Sequence, residues 1–242
     1  MGQFDAAIID LDGTMVDTLS DFELALNLML AQFGYPRAAR SFIERTVGKG
    51  SEHLVQSTLD YLKNKQFSDV DIEKLAIKNI VSIDTPLPDV SLADAMQSYQ
   101  THYFRVNGQA SAVYGGVVDG LQALRAAGLK MACLTNKPTA FAVPLLQAKG
   151  LYGFFAHVFG GDAFERKKPD PLPLLKACEA LGTLPARTLM IGDSSNDAQA
   201  ARAAGCPVVL VSYGYNHGEP IRGVPADGYI DSMAELAAWT SV

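Results

Sequence analysis

The sequence predicts an α/β protein: a doubly wound, Rossmann-like parallel sheet into which an all-helical module is inserted. Three observations predict it. Short apolar runs bounded by turn residues recur at Phe4 to Ile9, Leu129 to Leu134, Thr188 to Ile191 and Pro207 to Val211, each too short for a typical helix. Helical patterns separate the later runs, as in buried parallel strands joined by crossover helices. The interval from about residue 16 to 85 holds helical patterns and no convincing strand.

Taken in order, the first run makes a central first strand. Ser20 with Glu23 then reads as a capping box, and Leu19, Phe22, Leu26, Met29, Leu30 and Phe33 trace one helical face, ended by Gly34 and Pro36. Further helical stretches follow near 38–46, 51–64 and 69–83, before Thr85-Pro86-Leu87-Pro88 breaks the pattern. The expected organisation is a core of residues 1–15 and 86–242 with a helical cap of 16–85. Within the core, Gly128, Gly150, Gly182 and Gly205 each follow a helical stretch, where a positive φ stops the helix.

Bulk properties narrow the function classes. With 48% apolar and 19% charged residues the chain can bury a real core and is not a disordered one. A net charge of −6 argues against a nucleic-acid partner, which needs a basic face, but permits an anionic substrate met by lysines in one cleft. Cys133, Cys178 and Cys206 form no CxxC pair, so reduced thiols in a cytoplasmic protein are expected rather than disulfides or zinc. No run approaches the ~18 apolar residues of a membrane span, so no membrane partner is expected. The oligomeric state is open at this level.

In an open parallel sheet, ligands bind beyond the carboxyl ends of the strands. Four loop segments become candidates: Asp10-x-Asp12-Gly13-Thr14, Thr135-Asn136-Lys137-Pro138, Lys167-Lys168-Pro169, and Gly192-Asp193-Ser194-Ser195-Asn196-Asp197. Asp10 and Asp12, two apart on extended chain, can share a face. Their repulsion should raise one pKa, which suits Asp10 as ionised nucleophile and Asp12 as proton-bearing general acid. Asp193 can join Asp10 in an oxygen-rich site for Mg²⁺. Asp197 suits the first turn of a helix running to Ala204, and there can steady Lys168 or a metal-bound water. Thr135 offers a hydroxyl, Asn136 an amide and Lys168 a point charge to phosphate oxygens. Asp170 and Pro171 would start the following helix as N-cap and first residue. A carboxylate attacking a phosphate dianion at ~4 Å meets about 8 kcal/mol of repulsion at an effective dielectric near 20. Mg²⁺ and one lysine would offset it.

In this order the four segments resemble the motifs of the haloacid dehalogenase superfamily, and within it the phosphoglycolate phosphatase group. The matching stretches are Asp10-Leu-Asp-Gly-Thr-Met-Val-Asp17, Thr135-Asn-Lys, Lys168-Pro-Asp-Pro and Gly192-Asp-Ser-Ser-Asn-Asp197. The subgroup is suggested by Thr135 to Leu146 and by Tyr213-Gly-Tyr-Asn-His-Gly-Glu-Pro-Ile221. The resemblance implies a phospho-aspartyl intermediate on Asp10, hydrolysis assisted by Asp12, and Mg²⁺ bound by Asp10, the carbonyl of Asp12 and Asp193. The presence of Asp12 favours phosphoryl transfer at oxygen over dehalogenation. Val47-Gly48-Lys49-Gly50 looks like the family's substrate-facing cap loop, so Gly48 and Lys49, with Arg45, are expected to meet a substrate carboxylate. A glycine turn with an exposed lysine would have the same sequence. His53, His102, His157 and His217 read as structural, and Tyr213 and Tyr215 as loop packing. The expected activity is Mg²⁺-dependent hydrolysis of a small phosphorylated metabolite, 2-phosphoglycolate first. A sugar-phosphate phosphatase, a phosphosugar mutase and a phospho-acceptor signalling switch are the rivals.

Overall fold

The computed structural model describes residues 3–63 and 88–240. Strands β1 (Ala6–Ile9), β4 (Lys130–Leu134), β5 (His157–Phe159), β6 (Thr188–Gly192), β7 (Val208–Val211) and β8 (Gly228–Ile230) form one sheet in the order β5-β4-β1-β6-β7-β8, parallel throughout. The first strand is therefore central. Its alternate residues enter two different cores: Ala7 and Ile9 join Met131, Cys133, Leu189 and Val209 on one face, while Ala6 and Ile8 join Ala132, Met190, Val208 and Leu210 on the other. Burial on both faces is why these strands read as unbroken apolar runs. The edge strands β5 and β8 are only three residues long and mostly half-buried, so they left no such run. All four helix-ending glycines have positive φ, between 66° and 79°.

The cap contains α1 (Leu19–Gln32), α2 (Arg40–Thr46) and α3 (Ser51–Lys63). The expected helix at 69–83 lies outside the described residues. The cap does not stop at residue 85, however. Helix α4 (Leu92–Val106) packs chiefly on α1, and its Ala95, Tyr99 and Tyr103 share one core with Leu26, Leu30, Leu54 and Leu59. The prolines at 86 and 88 interrupt the sequence pattern, and the helix Leu92–Val106 beyond them still shares the helical module's core. The two chain crossings, β2 (Val16–Asp17) and β3 (Ala112–Val113), pair as an antiparallel ribbon between cap and core.

Two local expectations shift. The N-cap of α1 is Thr18, not Ser20; Ser20 Oγ and Glu23 instead both engage Arg40. The helix after Lys168 begins at Leu172 with Pro171 as its N-cap, one residue later than expected, and Asp170 Oδ1 accepts the Leu172 N–H at 2.9 Å. The three cysteines are free and buried. Among the described residues no helix is long and apolar enough to cross a membrane.

Candidate active site

Because β1, β4 and β6 run parallel and in register, the residues after them surface together. Asp10 follows Ile9, Thr135 follows Leu134, and Asp193 follows Gly192. Lys168 arrives from a cis Lys168–Pro169 junction and is 4% exposed. Its ammonium donates to Asp10 Oδ1 at 2.7 Å, Asp197 Oδ1 at 2.7 Å and Leu134 O at 2.8 Å, which uses all three protons. Burial opposes that charge, but Asp10 and Asp197 outweigh it and hold the lysine firmly protonated.

Asp197 serves both roles its position suggested. Its Oδ2 accepts the N–H groups of Asp193 and Ser194 and the Ser194 hydroxyl, completing a capping box at the start of the helix Ser195–Ala204. Its Oδ1 steadies Lys168. Gly192 is needed there, since an added Cβ would sit 2.4 Å from Asp197 Cγ.

One carboxylate oxygen each from Asp10, Asp193 and Asp197 lie within 4.8 Å of one another, and all three residues are buried. Asp197 is saturated. Asp10 Oδ2 accepts no hydrogen bond among the described residues, nor does the Asp12 carbonyl. Asp193 accepts from Thr14 Oγ1 and Tyr215 N, with lone pairs to spare. The four carboxylates of Asp10, Asp12, Asp193 and Asp197 meet two lysines, Lys137 and Lys168, which leaves two negative charges uncompensated. A hard divalent cation bound by Asp10, Asp193 and the Asp12 carbonyl fits that deficit and that oxygen donor set.

Without a bound cation the buried carboxyls of the site hold their protons. Burial raises Asp10 to about 7, opposed by Lys168 and reinforced by Asp197 and Asp12. Burial likewise pushes Asp193 well above the carboxylate range, with the charges of Asp197 and Asp10 adding to it. Both Asp10 and Asp193 face the candidate cation site, and a bound cation would favour their ionised forms. Repulsion within the Asp10–Asp12 pair was only part of the account, because Lys137 Nζ lies 2.7 Å from Asp12 Oδ1. Thr18 Oγ1 donates to the same oxygen at 2.7 Å. Lys137 is itself buried against the ring faces of Phe22 and Tyr103. The sequence places Lys137 in a candidate segment without giving it a role, and Thr18 in none. The available signal was Lys137's place two residues after Thr135, whose Oγ1 accepts the Lys137 N–H and keeps its own proton free.

Asn136 is placed at the site but used differently from expectation. Its amide donates to Gly48 O at 3.0 Å and Lys168 O at 2.9 Å, so it ties the cap loop to the core rather than facing a phosphate. Asn196 also donates to Gly48 O, and it contacts Nε2 of His217. These bonds hold the cap closed over a cavity of about 40 Å³, room for a few waters. Its walls are Asp10, Asp12 and Lys168 from the core and Phe22, Gly48 and Leu54 from the cap. His217 and Tyr215 also line it, and so are not mere surface packing. Lys49 is exposed and lies off the cavity wall, and the Arg45 stem packs beside Gly218, where an added Cβ would meet it at 2.8 Å. In this arrangement neither side chain lines the cavity, and the loop meets the core through the Gly48 carbonyl.

A haloacid dehalogenase-like hydrolase family model matches residues 4–205, and the chain belongs to that family. It is accordingly a hydrolase, and its curated relatives over nearly its whole length are phosphatases. It is 45% identical to a phosphoglycolate phosphatase of Thiobacillus denitrificans, over 96% of this chain and 93% of that one. A phosphoglycolate phosphatase of Nitrosospira multiformis is 41% identical over 95% of this chain and 92% of its own. A crystal structure described as a predicted phosphoglycolate phosphatase from Haemophilus somnus superposes with a TM-score of 0.84 at 30% identity, covering 98% of each chain.

Proposed function

We propose that the chain hydrolyses a small phosphate monoester, 2-phosphoglycolate first, with Mg²⁺ and through a phospho-aspartate on Asp10. The observation that carries this is the state of Asp10. One oxygen is held by Lys168, the other accepts no hydrogen bond among the described residues, and Asp10 lines the cavity beside an acidic cluster that calls for a cation. The names of the relatives supply the substrate. Asp10 attacks phosphorus through one carboxylate oxygen, and the leaving alkoxide takes a proton from Asp12, whose Oδ2 is the oxygen not engaged by Lys137 and Thr18. Water then cleaves the acyl phosphate, giving its proton back to Asp12. Lys168 and the Thr135 hydroxyl meet the phosphoryl oxygens, where charge spreads in the transition state. A divalent cation held by Asp10, Asp193 and the Asp12 carbonyl would add two positive charges beside the phosphoryl group. The cap seated over the cavity would limit the access of bulk water during the first step. The partner on this reading is a small phosphorylated metabolite of the cytoplasm, with no nucleic acid or membrane involved.

A panel of phosphate monoesters assayed with and without Mg²⁺ tests the reading. Phosphoglycolate should lead in kcat/KM, and a flat profile across the panel would remove the substrate assignment. Two further results are expected. Since Lys49 lies off the cavity wall, Lys49→Ala should leave KM for phosphoglycolate within about threefold. A rise of tenfold or more, absent for an aryl phosphate, would place Lys49 on the substrate. The raised Asp10 and Asp193 carboxyls also set a pH dependence. Both bind protons more tightly folded than unfolded, so the metal-free protein loses stability as pH rises from about 4 through 7. A divalent cation favours their ionised forms. Millimolar Mg²⁺ should therefore raise Tm more at pH 8 than at pH 5. Equal shifts would contradict the ligand set.

A further inference from the structure

Tyr215 spans the seam between the acidic site and the cap, and it is engaged at both ends. Its main-chain N–H donates to Asp193 Oδ2 at 2.7 Å. Its buried ring crosses over Gly13, where an added Cβ would come 2.8 Å from the ring and 2.2 Å from Asp193 Oδ2. At the far end its hydroxyl accepts the N–H groups of Thr18 at 2.9 Å and Leu19 at 3.1 Å, and donates to the Asp17 carboxylate. Residues 17 to 19 are the crossing by which the chain leaves the core and enters α1.

A helix beginning after a threonine is ordinarily capped by that threonine. Here Thr18 makes no capping hydrogen bond, and its hydroxyl donates to Asp12 Oδ1. The phenol of Tyr215 instead accepts the N–H groups of Thr18 and Leu19, sharing that of Leu19 with Asp17 Oδ1 at 3.2 Å, so the backbone on both sides of the Thr18 hydroxyl is held while that hydroxyl donates to Asp12. One side chain thus joins three things: the metal-facing Asp193, the entry to the cap, and through Thr18 the acid–base residue. Rotation of the cap about the β2–β3 ribbon must either break the phenol's bonds or carry Thr18, and with it Asp12, along.

We propose that Tyr215 is a positioning residue, whose hydroxyl fixes the Asp17–Leu19 crossing so that Thr18 keeps Asp12 aligned with Asp10 when the cap is closed. The proposal rests on the assignment of Asp12 as the acid–base residue. Tyr215→Phe removes the hydroxyl alone and keeps the ring and the N–H to Asp193. It leaves the buried Thr18 N–H without a partner.

The test uses the full chain with a phosphate monoester turned over by the parent. Tyr215→Phe should lower kcat about tenfold with KM within about threefold, since alignment rather than substrate binding is lost. The Mg²⁺ concentration for half-maximal rate should not move, because Asp193 is held by main chain. Thr18→Val should give a similar loss, and the double variant no more than about twice the larger single loss, as for two residues acting in series. Independently of turnover, amide exchange at Thr18 and Leu19 should quicken at least about tenfold in Tyr215→Phe. A kcat within twofold of the parent, losses that multiply in the double variant, or unchanged exchange at both amides would each overturn the proposal. A parent inactive on every phosphate monoester would instead overturn the functional reading, and the exchange rates would still decide whether the hydroxyl holds the crossing.

Discussion

Asp10→Asn is expected to remove turnover while leaving the protein folded. The amide is nearly isosteric with the carboxylate but is no nucleophile at phosphorus, so kcat/KM should fall by at least about 10⁴, or roughly 5.5 kcal/mol of transition-state stabilisation. Folding should survive for a reason visible at the site. In the metal-free protein burial raises Asp10 to about 7, so near pH 8 its ionised form opposes folding. Replacing it with a neutral group removes that cost, and Lys168 keeps Asp197 and the Leu134 carbonyl as acceptors. The metal-free Tm at pH 8 should therefore equal or exceed the parent's. Acid-quenched parent protein should carry phosphate on the chain during turnover, and the variant none. Activity retained within tenfold would end the case for Asp10 as nucleophile.

How much of this was legible beforehand follows from where each group lies on the chain. Asp10, Thr135 and Asp193 each stand immediately after a buried strand, so the apolar run announces the residue that follows it. Lys168 is marked by its proline. Lys137 carries no such mark: its partner Asp12 is 125 residues away, and the pairing exists only because β4 lies beside β1. Tyr215 and Thr18, 197 residues apart, meet only when the loop after β7 folds over the cap entry. Periodicity reports what a residue is buried against on its own element, and it is silent on which loops converge. The same limit displaced the cap boundary. Two prolines end a local helical pattern, whereas membership of the cap depends on α4 returning to pack on α1.

Lys168→Met should damage stability and rate together, and the two effects separate by pH. Methionine keeps the apolar stem but leaves Asp10 Oδ1, Asp197 Oδ1 and the Leu134 carbonyl without their donor in a buried setting. Removing one side of a buried ion pair costs about 3–5 kcal/mol. For a chain of this size that is a Tm fall of roughly 6–20 °C. Asp10 escapes much of its penalty by taking up a proton, so the loss should be largest at pH 8 and shrink toward pH 5. That is the direction expected of acids whose folded-state pKa is raised. Turnover should fall by at least about 10³, because the charge that meets the transferring phosphoryl group is gone. Mg²⁺ cannot replace it, since Lys168 reaches Asp10 through Oδ1 while Oδ2 is the oxygen left free. Lys168→Arg separates charge from geometry. A planar fork cannot meet three acceptors set around one ammonium, so it should recover more stability than rate. A Lys168→Met protein with a Tm within about 2 °C of the parent at pH 8 would mean that the lysine does not bind this acidic site together.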